Sequence, residues 1–219
     1  MVDVVAIERH VQHGNGIAAV KLGPLYAFVR PSNPLAPIPG AYAYLSAFLT
    51  TDDKSASTKA NTYGKPLWYG RFDRTTTLPG DYMIGQAGTF FIAAQQSLLT
   101  TLLVECNRVI TVRTTTASVA GAAGFGAQPY ADNTERFNGV IAMAGWPASI
   151  LAGTKGKSNE SQLPGDVRTP WVAVLVPAYP GVTIRTGDQL TDDLARTFTI
   201  SSAELTDLGW RLTAEYAGT

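Results

Sequence analysis

Two stretches of this chain, about a hundred residues apart, carry nearly the same pattern. The first reads GDYM at residues 80–83 and TFFIAA at residues 89–94. The second reads GDQL at residues 187–190 and TFTISS at residues 197–202. In each stretch a Gly-Asp turn leads into a short strand, and a second strand of alternating pattern follows. A repeated unit of this kind predicts two similar small β modules or one pseudo-symmetric sheet.

Segments with the aromatic, β-branched or alternating content of strands surround this repeat. They lie at residues 42–50, 67–72, 109–113, 171–177 and 210–216. Short strands at this spacing predict a mainly β fold of small barrel or sandwich modules, joined by long loops.

The N-terminal part of the chain has a different character. The first twenty residues are the best candidate for a helix, although Gly14-Asn15-Gly16 interrupts the apolar stripe and Gly23-Pro24 ends it. Four prolines between residues 31 and 39 then predict an extended segment without ladder hydrogen bonds at those positions. We therefore expect a short helical arm ahead of the β modules.

These features predict a division of the chain into four parts. They are an N-terminal helical and extended arm at 1–45, a first β module at 46–115, a Gly/Ala/Ser-rich excursion at 116–166, and a second β module at 167–219. The excursion holds one candidate ordered piece at residues 137–147. Polar residues 52–61 predict an exposed loop. The length of the chain also allows one compact domain.

The composition is that of a globular protein and does not favour nucleic-acid binding. Hydrophobic residues make up 45% of the 219 residues, and 17 Lys and Arg balance 17 Asp and Glu, so the formal net charge is zero. A protein that holds nucleic acid by its phosphates usually has a surplus of Lys and Arg. We therefore do not expect a dedicated nucleic-acid-binding protein.

The sequence shows neither a secretory signal nor a spanning segment. Its start lacks a basic region followed by a long apolar run. The most membrane-like stretch, residues 90–104, contains polar residues and is shorter than the ~20 residues that a spanning helix needs. We expect a soluble protein made in the cytoplasm, with no membrane partner.

The cysteine and the histidines do not predict a reactive or metal-binding site. Cys106 is the single cysteine, so an internal disulfide is impossible, and its strand-like context predicts a small buried thiol. A catalytic thiol needs a nearby histidine, whereas His10 and His13 are far away in sequence. These two share a helix face but have no complete ligand set around them, so we expect them to be solvated.

Two other motifs also fall short of a ligand site. The glycine run at residues 121–126 lacks the lysine of a phosphate-binding loop and the strand–helix frame of a dinucleotide site. The acidic residues Asp188, Asp192 and Asp193 do not have the spacing of a calcium loop. We expect no cofactor and no metal.

The two aspartates of the repeat have two interpretations. Asp81 and Asp188 could be the paired carboxylates of a hydrolase. Alternatively, Gly80 and Gly187 supply an unusual φ while each aspartate accepts backbone donors in its turn. We favour the structural interpretation because it explains both pairs at once. On this interpretation no residue is catalytic and the protein is not an enzyme.

Several motifs resemble those of tailed-phage and prophage virion proteins encoded between the portal and the tail genes. They are WYG at 68–70, PGDY at 79–82, TFFIAAQQ at 89–96, the Gly-Asp pair at 187–188, and DLGWRL at 207–212. The pattern is similar to the small β-barrel of head-closure, or stopper-like, neck proteins, and it covers about half of the chain.

The resemblance implies a location and a set of partners. Such proteins form a homo-oligomeric ring in the virion, assembled in the host cytoplasm, between the portal or adaptor and the tail proteins. DNA passes through the ring without sequence-specific binding, which suits a near-neutral wall. Two rival functions stay open: a tail tube, nozzle or minor capsid protein, and a cell-wall hydrolase that uses Asp81 and Asp188.

Overall fold

The computed structural model describes residues 4–51, 65–114, 139–153 and 171–217. In these residues the chain is mainly β with one N-terminal helix, which confirms the predicted fold class. Every strand pair is antiparallel. The elements are α1 (Val4–Leu22), β1 (Leu25–Val29), β2 (Ala43–Ser46), β3 (Phe48–Thr50), β4 (Leu67–Arg71), β5 (Tyr82–Gly85), β6 (Gly88–Ala94), β7 (Thr101–Cys106), β8 (Arg108–Thr114), β9 (Val140–Ala152), β10 (Trp171–Val176), β11 (Gln189–Asp192), β12 (Thr197–Thr206) and β13 (Gly209–Tyr216).

Helix α1 is continuous through Gly14-Asn15-Gly16, although glycine is a weak helix former. It ends where the sequence predicts, at Gly23 and Pro24, and Gly23 N donates to Ala19 O over 2.8 Å. Only glycine fits at this end, because a Cβ on Gly23 would lie 2.1 Å from the carbonyl oxygen of Ala47. The helix therefore ends in close contact with the first β unit.

The first seven strands form a curled sheet with the order β2-β1-β5-β6-β7-β4-β3. Strands β2 and β3 are its two edges, yet Ala47 alone separates them in the chain. In a flat sheet, six spacings of ~4.8 Å would place these edges about 29 Å apart. Two Cα–Cα steps span at most ~7.6 Å. The sheet must therefore curl until its edges approach each other, and we call this unit barrel 1.

The remaining strands form a closed barrel with the order β10-β13-β12-β11-β8-β9, which we call barrel 2. Each barrel has its own apolar core. The buried apolar residues of the barrel 1 core are Tyr26, Phe28, Ala47, Phe72, Met83, Phe90, Ile92 and Leu103. Those that the strands of barrel 2 contribute include Ile110, Val112, Met143, Trp146, Ala148, Ile150, Val174, Val176, Leu190, Phe198, Ile200, Leu212 and Ala214.

The two barrels have the same topology. Barrel 2 repeats the strand order of barrel 1 if the long strand β9 stands for both β2 and β3. A β-bulge also falls at the same place in both: between Ile92 and Ala94 of β6, and between Ile200 and Ser202 of β12. The duplicated unit is therefore a whole barrel, which is larger than the hairpin and strand visible in the sequence.

The boundaries of the units differ from the predicted ones. Strand β1 and most of β2 belong to barrel 1 but lie in the predicted arm at 1–45. Strand β8 belongs to barrel 2 but lies in the predicted first module at 46–115. Strand β9, in the predicted excursion at 116–166, is a strand of barrel 2, whereas the rest of that excursion lies largely outside the described residues. The predicted loop at 52–61 also lies outside them.

The proline-rich segment explains the first of these differences. It connects β1 to β2 and packs against barrel 2 instead of extending away as an arm. Its carbonyl oxygens are acceptors: Trp146 Nε1 donates to Pro34 O over 2.6 Å, and Tyr179 OH donates to Ser32 O over 2.8 Å. Proline fixes the backbone while leaving its carbonyl free, so the segment can cross to the second barrel without joining a ladder.

One row of residues on the outside of barrel 1 holds the two barrels together. Val29, Tyr82, Phe91 and Val104 lie side by side across four strands and are buried against barrel 2. Tyr82 OH also donates to Pro147 O over 2.8 Å. In barrel 2 the equivalent row is polar, and consists of Arg113, Gln189, Thr199 and Glu215. Of these two equivalent rows, the one on barrel 1 is therefore apolar and packs against the other barrel, and the one on barrel 2 is polar.

Candidate functional site

The first Gly-Asp pair forms a tight corner before β5. Gly80 has a φ of +93°, which L-residues rarely adopt. Asp81 is 1% exposed, and its Oδ2 accepts a hydrogen bond from Leu78 N over 2.9 Å. The corner is tied to β6, because Gly80 N donates to Ile92 O and Ile92 N donates to Asp81 O, both over 2.8 Å.

The second pair repeats this corner in barrel 2. Gly187 has a φ of +92°, and Asp188 is 2% exposed. Asp188 Oδ2 accepts from Arg185 N over 2.7 Å. Gly187 N donates to Ile200 O over 2.8 Å, and Ile200 N donates to Asp188 O over 2.9 Å. The structure thus places Gly80, Asp81, Gly187 and Asp188 in matching turns, one in each barrel.

Asp81 has additional partners. Arg30 donates to both carboxylate oxygens, from Nε to Oδ1 and from Nη2 to Oδ2, each over 2.8 Å. Tyr42 OH donates to Oδ2 over 2.7 Å, and the Arg30 guanidinium lies 5.0 Å from the centre of the Tyr42 ring. Burial, and then the bond to Asp81, raise the pKa of Tyr42. With four donors on one carboxylate, the cluster holds both ends of the β1–β2 connection, Arg30 and Tyr42, at the corner.

Cys106 ends β7 and is partly buried. Burial raises the pKa of its thiol well above the ordinary value, so it is protonated at neutral pH. A nucleophilic cysteine needs the opposite shift.

His10 and the acidic patch have local partners. His10 Nδ1 lies 2.7 Å from Ala6 O one turn earlier in α1. Asp192 Oδ1 accepts from Leu194 N and Arg196 N, and its Oδ2 accepts from Arg196 Nε. Among the residues that the structure describes, no group of three His, Cys, Asp or Glu could hold a metal ion. The glycine run at 121–126 lies outside those residues.

Helix α1 reverses the usual orientation of a surface helix. Glu8, Gln12, Gly16 and Ala19 recur every three or four residues and face barrel 1. Glu8 pairs with the buried Arg74 over 2.9 Å, a Cβ on Gly16 would contact Asp73, and Ala19 is fully buried. A surface helix normally buries its apolar residues instead. Here the packing stripe is polar or small.

The apolar residues of α1 consequently remain exposed. They are Val5 (63% exposed), Ile7 (42%), Val11 (38%), Ile17 (50%), Val20 (71%) and Leu22 (68%). Arg9, His10, His13 and Lys21 are exposed among them, so this surface is apolar and basic. We call it the α1 surface. Large apolar side chains exposed together on one element are a feature of interaction sites.

A second apolar feature lies where the two barrels meet. A groove of about 240 Å³ separates the outside of barrel 1 from the end of the β12–β13 hairpin. Its apolar lining includes Leu67, Phe91, Leu102, Leu175, Leu208 and Trp210, with Asp207 and Arg211 at the hairpin end. Trp210 is 5% exposed, and its Nε1 has no hydrogen-bond partner among the described residues. We call this feature the inter-barrel groove.

Neither surface could be recognised directly from the sequence. The groove needs two segments that are far apart in the chain. One feature of the sequence bears on the orientation of α1: its six large apolar residues do not fall on one stripe at helical spacing.

Comparisons with known proteins add no assignment. No family model, no curated protein and no solved structure matches the chain. As for membranes, α1 is the single helix in the described ranges, and it does not have the length and apolar character that crossing a bilayer requires.

Proposed function

We propose that this chain is a structural component of a tailed-phage virion, located at the head–tail connector. In this proposal it forms a homo-oligomeric ring between the portal or adaptor and the tail proteins, and DNA passes through the ring. It performs no reaction. Its role is to join head and tail and to retain or pass the genome.

The observation that carries this proposal is the α1 surface. Six large apolar residues exposed on one helix are costly in water, and burial against another subunit removes that cost at roughly 25 cal/mol per Å² of apolar surface. Because the residues of α1 that pack on barrel 1 are polar or small, its large apolar residues are left facing outward. A subunit that joins a ring needs such a surface.

Three further features fit the same role. The buried Gly-Asp corners stabilise the two barrels, and the carboxylate of Asp81 is fully occupied with local donors. The row on barrel 2 is polar, so barrel 2 does not offer a second apolar face equivalent to the one that barrel 1 buries. The zero formal charge suits a wall past which DNA slides.

The rival functions differ in how well they fit. A tail tube, nozzle or minor capsid protein would use the same surfaces at another position in the virion. A cell-wall hydrolase would need Asp81 and Asp188 in one site, whereas the two residues lie at matching corners of different barrels. Nothing in the described part of the chain favours that reaction.

Electron microscopy of phage particles assembled without this protein tests the proposal. We expect DNA-filled or recently emptied heads without attached tails. Particles of a second strain, with Ile7→Gln and Val11→Gln in α1, should show the same defect although the protein is made and folded. Normal tailed particles in the first strain would overturn the connector role. Heads that carry a neck but lack a tube would assign the chain to the tail.

A further inference from the structure

We propose that the α1 surface of one copy docks into the inter-barrel groove of the next copy. This inference rests on the proposed function, because it names the two faces that meet in the ring. An α1–groove contact is heterologous, which is the type of contact that generates a ring.

The α1 surface and the inter-barrel groove are both apolar and incompletely covered. On the helix, Ile7 and Val11 are 42% and 38% exposed and lie one turn apart on one face. In the groove, Leu67 and Leu208 are 42% and 41% exposed. An amphipathic helix that lays its apolar side chains into an apolar groove is a recurrent mode of protein recognition.

The charges around the two features are opposite in sign. The α1 surface carries Arg9 and Lys21, while Glu8 is turned inward to Arg74. The hairpin end beside the groove carries the exposed residues Glu204 and Asp207. Arg211 lies 4.0 Å from Glu204 and offsets one of these charges. A helix–groove contact therefore joins opposite charges, whereas pairing of two α1 helices would join like charges.

The β12–β13 hairpin, which borders the groove, is longer than the equivalent connection in barrel 1. In barrel 1, the connection from β6 to β7 is held to the barrel by Arg74, which donates to Gln96 O and Leu99 O. In barrel 2, the β12–β13 hairpin continues its ladder past the bulge, to the pair Thr206 and Gly209. This extension creates one wall of the groove, and barrel 1 has no counterpart to it among the described residues.

The indole of Trp210, in the lining of the groove, has a buried N–H group without an acceptor among the described residues. A buried donor without a partner is costly, and a docked chain can supply an acceptor. On α1 the exposed acceptors include Nε2 of His10, whose Nδ1 lies against Ala6 O, a ring nitrogen of His13, and the carbonyl oxygens of the last turn other than Ala19 O, which accepts from Gly23 N.

Disulfide trapping between two different copies tests the contact. Both variants carry Cys106→Ser, so that each copy has one thiol. One copy carries Val11→Cys and the other carries Leu208→Cys. After mixing and mild oxidation of the purified full-length chains, we expect the mixed dimer at least about tenfold above the control, because docking raises the effective concentration of the two thiols. The control replaces Leu208→Cys by Leu194→Cys, since Leu194 is 55% exposed in the turn between β11 and β12.

Two outcomes of the trapping overturn the inference. A dominant Val11–Val11 product would show that α1 helices pair with each other. A mixed dimer no more abundant than in the control would show that α1 does not reach the groove. If the wild-type chain self-assembles in either case, the ring proposal stands and this inference alone fails. If it is monomeric under all conditions, both fail.

Charge reversal gives a second test that needs no thiol. We expect Arg9→Glu with Lys21→Glu, and separately Glu204→Lys with Asp207→Lys, to weaken self-association by about tenfold. Mixing the two reversed proteins should restore association. Loss of association without such rescue would contradict the proposed pairing.

Discussion

At the residue scale, the two barrels share a corner in which the glycine has nearly the same φ and the backbone makes the same hydrogen bonds. Gly80 and Gly187 differ by one degree in φ, and Asp81 and Asp188 each accept from the backbone N–H three residues earlier. These details follow from the GD pattern in the sequence, because glycine supplies the positive φ and aspartate supplies a short acceptor.

The Gly80 corner can be tested by adding one methyl group. Space is available, since a Cβ would have one neighbour, Ala178 O, at 4.0 Å, so the cost comes from the backbone conformation. We expect Gly80→Ala to lower the free energy of unfolding by about 1–2 kcal/mol. The matched control is Gly14→Ala in α1, which should be neutral or raise stability by up to about 1 kcal/mol. Urea denaturation of both variants is the measurement, and equal effects would contradict the role of Gly80.

Asp192 should make stability depend on pH. Burial acts to raise its pKa, but the bonds from Arg196 and from the backbone outweigh that effect, so the pKa lies below the ordinary value. A depressed pKa contributes stability above pH ~4 that is lost as the pH falls through the pKa of the folded state.

We therefore expect Asp192→Asn to be clearly less stable than wild type at pH 7, and the difference to shrink at pH 2–3. Urea denaturation at both pH values gives the comparison. Asp193→Asn is the control, because its carboxylate is 41% exposed and lies 3.9 Å from Arg108. It should change stability little at either pH. A constant deficit of Asp192→Asn across the pH range would contradict the ionic contribution.

At the element scale, the strands followed from the sequence better than their grouping did. Alternation and aromatic content predicted β4, β5, β6, β8, β10, β12 and β13 close to their observed positions. Strand β9 was less clear, because Ala142, Ala144 and Gly145 give it small residues where strands usually carry large ones. The small residues of β9 are explained by tertiary contacts. Ala144 N donates to Pro34 O, and Gly145, with a φ of +72°, lies beside Pro37. Contacts of this kind are invisible in local sequence.

The packing of α1 against barrel 1 depends on the close contact between Gly23, at the C-terminal end of the helix, and the backbone of Ala47. A methyl group on Gly23 would meet the backbone of Ala47, which cannot rotate away as a side chain can. We expect Gly23→Ala to release α1 from barrel 1 while both barrels stay folded. Hydrogen exchange should then show faster exchange in α1 and unchanged protection in β10 and β13. Gly14→Ala, which meets nothing within 4 Å, is the control. Unchanged exchange in α1 would contradict this view of the contact.

At the scale of the whole molecule, two barrels of the same topology differ on one face. The row of Val29, Tyr82, Phe91 and Val104 is apolar where it meets barrel 2. The equivalent row of Arg113, Gln189, Thr199 and Glu215 is polar. This difference also explains why the sequence shows a repeated hairpin and not a repeated barrel: the inward positions of the two barrels are alike in apolar character, whereas the outward positions of this row differ.

The two candidate surfaces could be predicted to different degrees. The sequence contains the apolar residues of α1, but the side that faces the barrel is set by Glu8, Arg74 and the glycine contacts, which only the fold reveals. The inter-barrel groove joins residues 67–104 to residues 175–211 and depends on the packing of one barrel on the other. The connector function stays a proposal that rests on the resemblance, and the exposed α1 surface is the feature through which it can be tested.

The most direct test is the mass of the purified full-length chain in solution. Sedimentation velocity would be run on the wild type and on the Ile7→Gln and Val11→Gln variant, each alone at increasing concentration and mixed with the portal ring of the proposed connector. Glutamine is a good helix former, so α1 should keep its structure while losing apolar surface. We expect the wild type to form one discrete ring-sized species and the variant to remain a monomer. A wild type that stays monomeric even with portal, or a variant that forms the same ring, would contradict assembly through α1.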